Sequence, residues 1–447
     1  MSSSLILVVL MVVLVGISES IQADSPTITS SPSPEILKSV NLKHFETQIW
    51  KMPKIVDAFK AVVSREHEPR DILKSSRDIL MNKTTESLIA IKKKAEAGTY
   101  QEQLLNYLQN ELSQFGLGVP LDLAFSTLNY ICSTIVDLGV LRSKVIPDMS
   151  RMSFLLRSTD DCENTSIPLT QAERLWNTKG FYKDRPTVLF ITGWKSSINN
   201  SNSGPVTKAY RCRNDTNVLV LDAANFIDTL YTWSALNTEA IGAYLATALL
   251  RLDTSYVTKR FHLVGHSLGA QIAGSTGRNY RQMSGGQILH RITGLDPANP
   301  CFYDGNDLEG LRSGDARFVD IIHTNPGMLG TSKRAGDADF FVQGRIPFKP
   351  GCEELDPMSC SHQRAVDYWT ETLYPSNEND FLAKRCKRYS ELLLGNDCKD
   401  TDTVMGYAAK PTDLGLFYVA ANPVQPYGPN ANLQSYTNSS TECGACA

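Results

Sequence analysis

The segment Phe261-His262-Leu263-Val264-Gly265-His266-Ser267-Leu268-Gly269-Ala270 runs from residues suited to a buried strand into Gly-x-Ser-x-Gly, and Gln271-Ile272-Ala273-Gly274 continues as a helix. So tight a strand-to-helix turn needs small residues on both sides of the serine, which gives Gly265 and Gly269 a steric task. Ser267 is then expected to sit exposed at the top of a sheet, over the N-terminus of the helix. The Leu268 N–H would point to where an oxyanion develops. In a loop the same pentapeptide would carry no chemistry; the strand before it and the helix after it give it meaning.

Further strands flank this one. Thr187-Val188-Leu189-Phe190-Ile191 and Val218-Leu219-Val220-Leu221 are near-continuous apolar runs, the pattern of parallel strands covered on both faces. Arg291-Ile292-Thr293-Gly294-Leu295 and Arg317-Phe318-Val319-Asp320-Ile321-Ile322 read as two more. Residues 237–252, with Asn237 as cap, read as an amphipathic helix. Strands alternating with helices predict an α/β fold with a mostly parallel central sheet.

The rest of the chain sets bounds. It has 447 residues, 42% hydrophobic and 20% charged, as in an ordinary globular protein. A net charge of -3 without a basic run that overturns it argues against a nucleic-acid partner. Leu5–Val15 is an apolar core of eleven residues, too short to span a bilayer, and Ser18-x-Ser20 is a cleavage site of small residues. Residues 1–20 are therefore predicted to be a signal peptide, although Met1-Ser2-Ser3-Ser4 lacks Lys or Arg; an uncleaved signal anchor is the minority reading. Ten cysteines and the sequons at Asn82, Asn164, Asn199, Asn214 and Asn438 agree with secretion. No later segment is apolar enough for stable transmembrane anchoring. Residues 21–34 are rich in Ser, Thr and Pro, a flexible lead-in. Residues 35–150 show apolar spacing of three and four, a helical region without a catalytic constellation; Lys92-Lys93-Lys94 fits a solvated helix face.

A serine hydroxyl needs a base to take its proton, and the base needs an acid to fix its tautomer. In α/β-hydrolases the chain order is Ser, then Asp or Glu, then His. After Ser267 the histidines are His290, His323 and His362. His290 precedes every good acid and fails the order. His323 ends a strand and is a pocket-lining or structural candidate. His362, expected in a loop before the helical pattern from Ala365, is the leading base. Asp296 leads as the acid, since Pro297 ends its strand and sites gather at strand carboxyl ends. Asp320 is second, inside an apolar strand where a buried structural role competes; Asp222 precedes the serine and breaks the order. The second oxyanion donor is expected after an early strand, at Trp194 in Thr192-Gly193-Trp194.

With these residues in place, the segment from about 186 to 428 resembles the catalytic domain of the pancreatic lipase family, its insect members especially. Gly-His-Ser-Leu-Gly-Ala (265–270), Ile-Thr-Gly-Leu-Asp-Pro-Ala (292–298), Asp-Ala-Arg-Phe-Val-Asp-Ile-Ile-His-Thr (315–324) and Cys-Ser-His (360–362) carry the resemblance. It implies an α/β-hydrolase fold over 151–428, with Ser267, Asp296 and His362 as triad and Trp194 and Leu268 as oxyanion hole. The helical region resembles, less specifically, the extension of insect yolk proteins. There are departures. Thr192-Gly193 stands where the family often has His-Gly. The calcium-binding acids of some vertebrate relatives have no clear match in 309–315, so no metal is expected, and no cofactor. The tail 429–447 leaves no room for the β-sandwich that binds colipase, so no colipase is expected.

The resemblance further implies that Cys352–Cys360 closes a lid before the catalytic histidine and that Cys386–Cys398 is a disulfide. Cys443 and Cys446 could pair within the tail, leaving three pairings among Cys132, Cys162, Cys212 and Cys301. Only seven residues separate Cys352 from Cys360, and they include Glu353, Glu354 and Asp356. So short and acidic a lid resembles those of the family's phospholipases. The expected activity is that of a secreted serine-dependent carboxylic ester hydrolase. It would act on lipid esters at a membrane, micelle or droplet surface, with phospholipid or partly polar esters favoured over triglyceride. The alternative is a non-catalytic storage or lipid-binding protein like the yolk proteins, which lack the serine.

Overall fold

The computed structural model describes residues 146–160, 162–194, 203–223, 226–228, 231–302, 308–352, 357–393, 395–438, 440 and 443. The expected signal peptide, the lead-in and nearly all of the helical region lie outside them. The described residues belong to a unit running from Leu128 to Ala447.

Eleven strands form one sheet among the described residues: β1 Ser153–Arg157, β2 Asn164–Pro168, β3 Thr187–Ile191, β4 Asn217–Asp222, β5 Phe261–His266, β6 Arg291–Leu295, β7 Val319–His323, β8 Ala338–Val342, β9 Leu382–Cys386, β10 Lys399–Val404 and β11 Gly415–Val419. Their spatial order is β10-β9-β11-β8-β7-β6-β5-β3-β4-β1-β2. From β11 through β4 every pairing is parallel. The strands outside this run pair antiparallel. The principal helices are α1 Ser203–Arg213, α2 Tyr231–Leu249, α3 Thr254–Arg260, α4 Leu268–Met283 and α5 Pro357–Leu373. This is the α/β-hydrolase arrangement expected of the sequence.

The strands' period of two explains why their apolar runs are continuous. Leu189, Ile191, Leu219, Leu221, Leu263 and Ile292 join one core with Ile241 and Leu245 of α2 and Ile272 and Ala273 of α4. Val188, Phe190, Val218, Val264 and Leu295 join a second core with Tyr210 of α1 and Val366 and Trp369 of α5. Each strand thus feeds a helical layer on both faces. Truncating one of these large side chains to alanine costs about 2–5 kcal/mol.

Three expectations are corrected. The helix placed at 237–252 begins at Tyr231 and ends at Leu249. Asn237 is inside it, and its Nδ2 donates to the Phe226 carbonyl at 2.8 Å, a tertiary bond that a cap pattern imitates. His362 is not in a loop: α5 starts at Pro357, whose fixed φ suits the first helical position. Cys443 is bonded to Cys212 on α1, not to Cys446. The tail is carried there by docking, with the Thr437 carbonyl accepting from Asn377 Nδ2 at 2.6 Å and Tyr436 OH donating to Glu371 at 2.8 Å. Such contacts override local spacing, and they remove Cys212 from the pairings left open above. Cys352–Cys360 and Cys386–Cys398 are both formed.

After β3 the chain moves toward β4, and after β5 it moves the other way, toward β6. The crevice at the carboxyl ends of β3 and β5 is therefore the topological switch point, where open α/β sheets place their ligands.

Candidate active site

Ser267 is the N-cap of α4 and sits at φ 56°, ψ −120°, a strained conformation for a residue with a side chain. The glycines permit it. A Cβ on Gly265 would meet the Gly269 carbonyl oxygen at 2.3 Å, and one on Gly269 would meet the Ile191 carbonyl oxygen at 2.1 Å. Ser267 is 8% exposed, less open than the sequence led one to expect. The turn is pinned from both sides: Ser267 N–H donates to the Leu295 carbonyl at 3.0 Å, and Ala298 N–H donates to the Ser267 carbonyl at 3.2 Å.

β5 and β6 are paired with His266 opposite Leu295, so the residue after each strand falls at the same sheet edge. That residue is Ser267 on one and Asp296 on the other. Asp296 has φ 43° and is fully buried. Its Oδ1 accepts from Thr324 N–H at 2.8 Å and Asn325 N–H at 3.0 Å. Its Oδ2 lies 2.6 Å from His362 Nδ1. Burial alone would raise this carboxyl; the hydrogen bond and charge of His362 and the two backbone N–H groups outweigh it and hold the pKa below the usual range.

His266 lies beside this pair. Its ring is 4.6 Å from that of His362, tilted by 40°, and its Nε2 is 3.3 Å from the His362 carbonyl oxygen. Burial first, and the charge of His362 second, push its pKa down to about 3, so it is a neutral neighbour of the imidazole.

Trp194 follows β3 by three residues. A Cβ on Gly193 would lie 2.8 Å from Ser267 Cβ, so glycine lets this backbone come up against the serine. The Trp194 and Leu268 N–H groups thereby belong to segments that flank Ser267. The Trp194 ring packs edge-on against Tyr231 at 5.5 Å, and Ala235, Leu268 and Phe302 complete an apolar cluster there. Such a surface suits an acyl chain better than a charged group.

The other sequence candidates are elsewhere. Asp320 is fully buried and bonded to Arg291 Nε and Nη2 at 2.8 Å each and to Thr293 Oγ1 at 2.9 Å, a structural ion pair. His323 is buried with both ring nitrogens occupied, by the Thr331 carbonyl and by Asp339 Oδ1, each at 2.9 Å. Asp222 ends β4, two strands from β5. Sequence reasoning missed Gly330, where a Cβ would fall 2.2 Å from Asp296 Oδ1, and Asn325 as a cradle for Asp296. Asn325 does follow directly on the His323-Thr324 motif, a signal that was available.

The lipase family's sequence profile matches residues 140–415. The chain belongs to the lipase family. Among its relatives, probable phospholipase A1 magnifin of Vespa magnifica is 34% identical over 254 residues, 53% of this chain and 73% of that protein. Vitellogenin-1 of Ceratitis capitata is 32% identical over 220 residues, 49% of each chain. Pancreatic lipase-related protein 2 of Cavia porcellus is 33% identical over 253 residues, 55% of this chain and 56% of that one. This lipase-family chain therefore spans about half the length of the last two. Membership of the lipase family supports hydrolysis of lipid esters.

Proposed function

We propose that the protein is a secreted, serine-dependent hydrolase of lipid carboxylic esters. The observation that carries this reading is the 2.6 Å contact of His362 Nδ1 with a buried, doubly held Asp296 at the sheet edge beside the Ser267 turn. Ser267 Oγ attacks the ester carbonyl and gives its proton to His362 Nε2. Asp296 keeps the proton on Nδ1 and stabilises the imidazolium. The N–H groups of Leu268 and Trp194 stabilise the oxyanion. His362 returns the proton to the leaving alcohol, and water activated by His362 releases the acyl group.

The short lid favours phospholipid or partly polar esters over triglyceride. Of the seven residues between Cys352 and Cys360, three, Pro357 to Ser359, already belong to the first turn of α5. Little chain is left for an amphipathic flap that would present apolar surface to an oil droplet. Ile346 and Phe348, exposed on the segment before the disulfide, suit contact with a lipid surface. Secretion is supported by the three disulfides named above. Asn164 and Asn214, both exposed, are open to glycan addition.

The test is hydrolysis of a short-chain ester, a triglyceride and phospholipid vesicles by the secreted protein and by Ser267→Ala. Activity lost in the variant, with phospholipid ranked above triglyceride, is the expected result. The similarity to Vitellogenin-1 favours a second reading, a non-catalytic lipid-binding protein. Equal inertness of both proteins on all three substrates would select it.

A further inference from the structure

His266 is a buried histidine, 5% exposed, for which the steps above have no use. It ends β5 and directly precedes Ser267. Its two ring nitrogens face different parts of the site. Nε2 is 3.3 Å from the His362 carbonyl oxygen, and the two imidazole centroids are 4.6 Å apart. Nδ1 faces the Gly193 backbone: a Cβ on that glycine would stand 3.4 Å from it and 3.1 Å from the His266 carbonyl oxygen.

Hydrogen-bond chemistry fixes the tautomer. A carbonyl oxygen only accepts, so the proton is on Nε2. Nδ1 is then a buried lone pair, with no hydrogen-bond partner among the described residues. A second proton there would be a buried donor without an acceptor, so the ring stays neutral. Burial and the charge of His362 act in the same direction, pushing its pKa down to about 3. An apolar side chain would fill this space without burying an unpaired nitrogen, so packing does not account for histidine here.

His362 has use for such a neighbour. Its Nδ1 is held by Asp296. Its turn of helix is held separately: Lys349, 1% exposed, donates its backbone N–H to Ser361 Oγ at 2.9 Å, and Thr324 Oγ1 reaches the His362 carbonyl at 3.5 Å. An imidazole bonded through one nitrogen can still pivot about that bond. The His266 ring, tilted by 40° against it, blocks the swing on one side.

We propose that His266 is a positioning residue for the base: its ring is a spacer between the Gly193 backbone and the His362 imidazole, and its Nε2–H pins the His362 carbonyl, so that His362 Nε2 stays turned toward Ser267 Oγ. Nucleophile, oxyanion segment and base are then spaced from a single strand end. The neutral ring adds no charge against the imidazolium that forms. The effect on rate rests on the triad reading above; the placing of the His362 ring does not.

The experiment compares the full chain as wild type, His266→Leu, His266→Phe and His266→Gln. Leucine removes both ring face and donor. Phenylalanine keeps a face without the donor, and glutamine keeps a donor without the face. Two quantities are read: kcat and KM on a soluble short-chain ester, and the far-downfield proton NMR signal of the His362 Nδ1 proton, assigned with His362→Gln. His266→Leu should lower kcat about 10^2-fold, as a shift of about 1 Å does, with KM little changed. The other two variants should each recover part of that loss. The His362 signal should broaden or vanish in His266→Leu. If the leucine variant fails to fold, the phenylalanine and glutamine variants decide, each with lower kcat and a broader signal than wild type. Wild-type kcat in His266→Leu overturns the proposal, and so does an unchanged His362 signal in every variant that folds. Full recovery in His266→Phe overturns it too, since packing would then suffice. If the signal responds as expected but the wild type hydrolyses no ester, the catalytic reading fails and the placing of His362 by His266 stands.

Discussion

Among the described residues, two histidine–aspartate pairs lie near strand ends of this sheet, and they are held differently. His323 and Asp339 are both fully buried, 2.9 Å apart, with the imidazole stacked on Phe341 at 4.0 Å. Both nitrogens of that ring are bonded within the protein. His362 and Asp296 are closer, at 2.6 Å, and the His362 side chain keeps 12% of its surface exposed. Its Nδ1 is given to the carboxylate, and the strained serine stands on the next strand over. A carboxylate beside an imidazole is thus no sign of chemistry in itself. The second nitrogen must be available, and something must stand ready to give it a proton.

The comparison can be broken most forcefully at the pair proposed for catalysis. Ser267→Ala or His362→Ala should lower kcat on a susceptible ester by about 10^4-fold or more, measured on protein shown to be folded by circular dichroism. Next in size is Gly330→Ala. Its methyl would have to displace the Asp296 carboxylate, and a misplacement of about 1 Å costs on the order of 10^2-fold in kcat. Disturbing the other pair should give the opposite outcome. Asp339→Asn should leave kcat within a few-fold of wild type while costing about 1–3 kcal/mol in denaturant unfolding, as a buried partner is lost. A large kcat defect without loss of stability would mean that the pairs are not distinct in role. The smallest effect concerns pH. Between about 7 and 10.5 the unfolded chain keeps the Lys349 proton that the folded chain has released, so stability rises with pH through this window. Lys349→Met should flatten that slope in Tm measured against pH, and an unchanged slope would place the lysine's charge in solvent.

Much of this was legible in the sequence because the chemistry is written in short, local patterns. The Gly265–Gly269 spacing encodes a close backbone crossing, and the apolar run at 187–191 encodes a strand with helices on both faces. Asp296 was found because Pro297 ends its strand. What escaped depends on contacts between distant segments. The Asp296 cradle consists of backbone N–H groups 28 and 29 residues away, which no side chain announces. Gly330 matters only because the 325–331 turn is folded over the carboxylate. Asn237 had the chemistry of a cap, but tertiary packing had another use for it.

The Cys212–Cys443 bond joins residues 231 apart in sequence. It closes one covalent ring around β4 to β11 and around all three residues of the proposed triad. A protease that cuts once anywhere inside that ring releases no fragment. The two pieces keep travelling as one molecule until a reductant opens the bond, so a nicked protein and an intact one differ on a gel only after reduction.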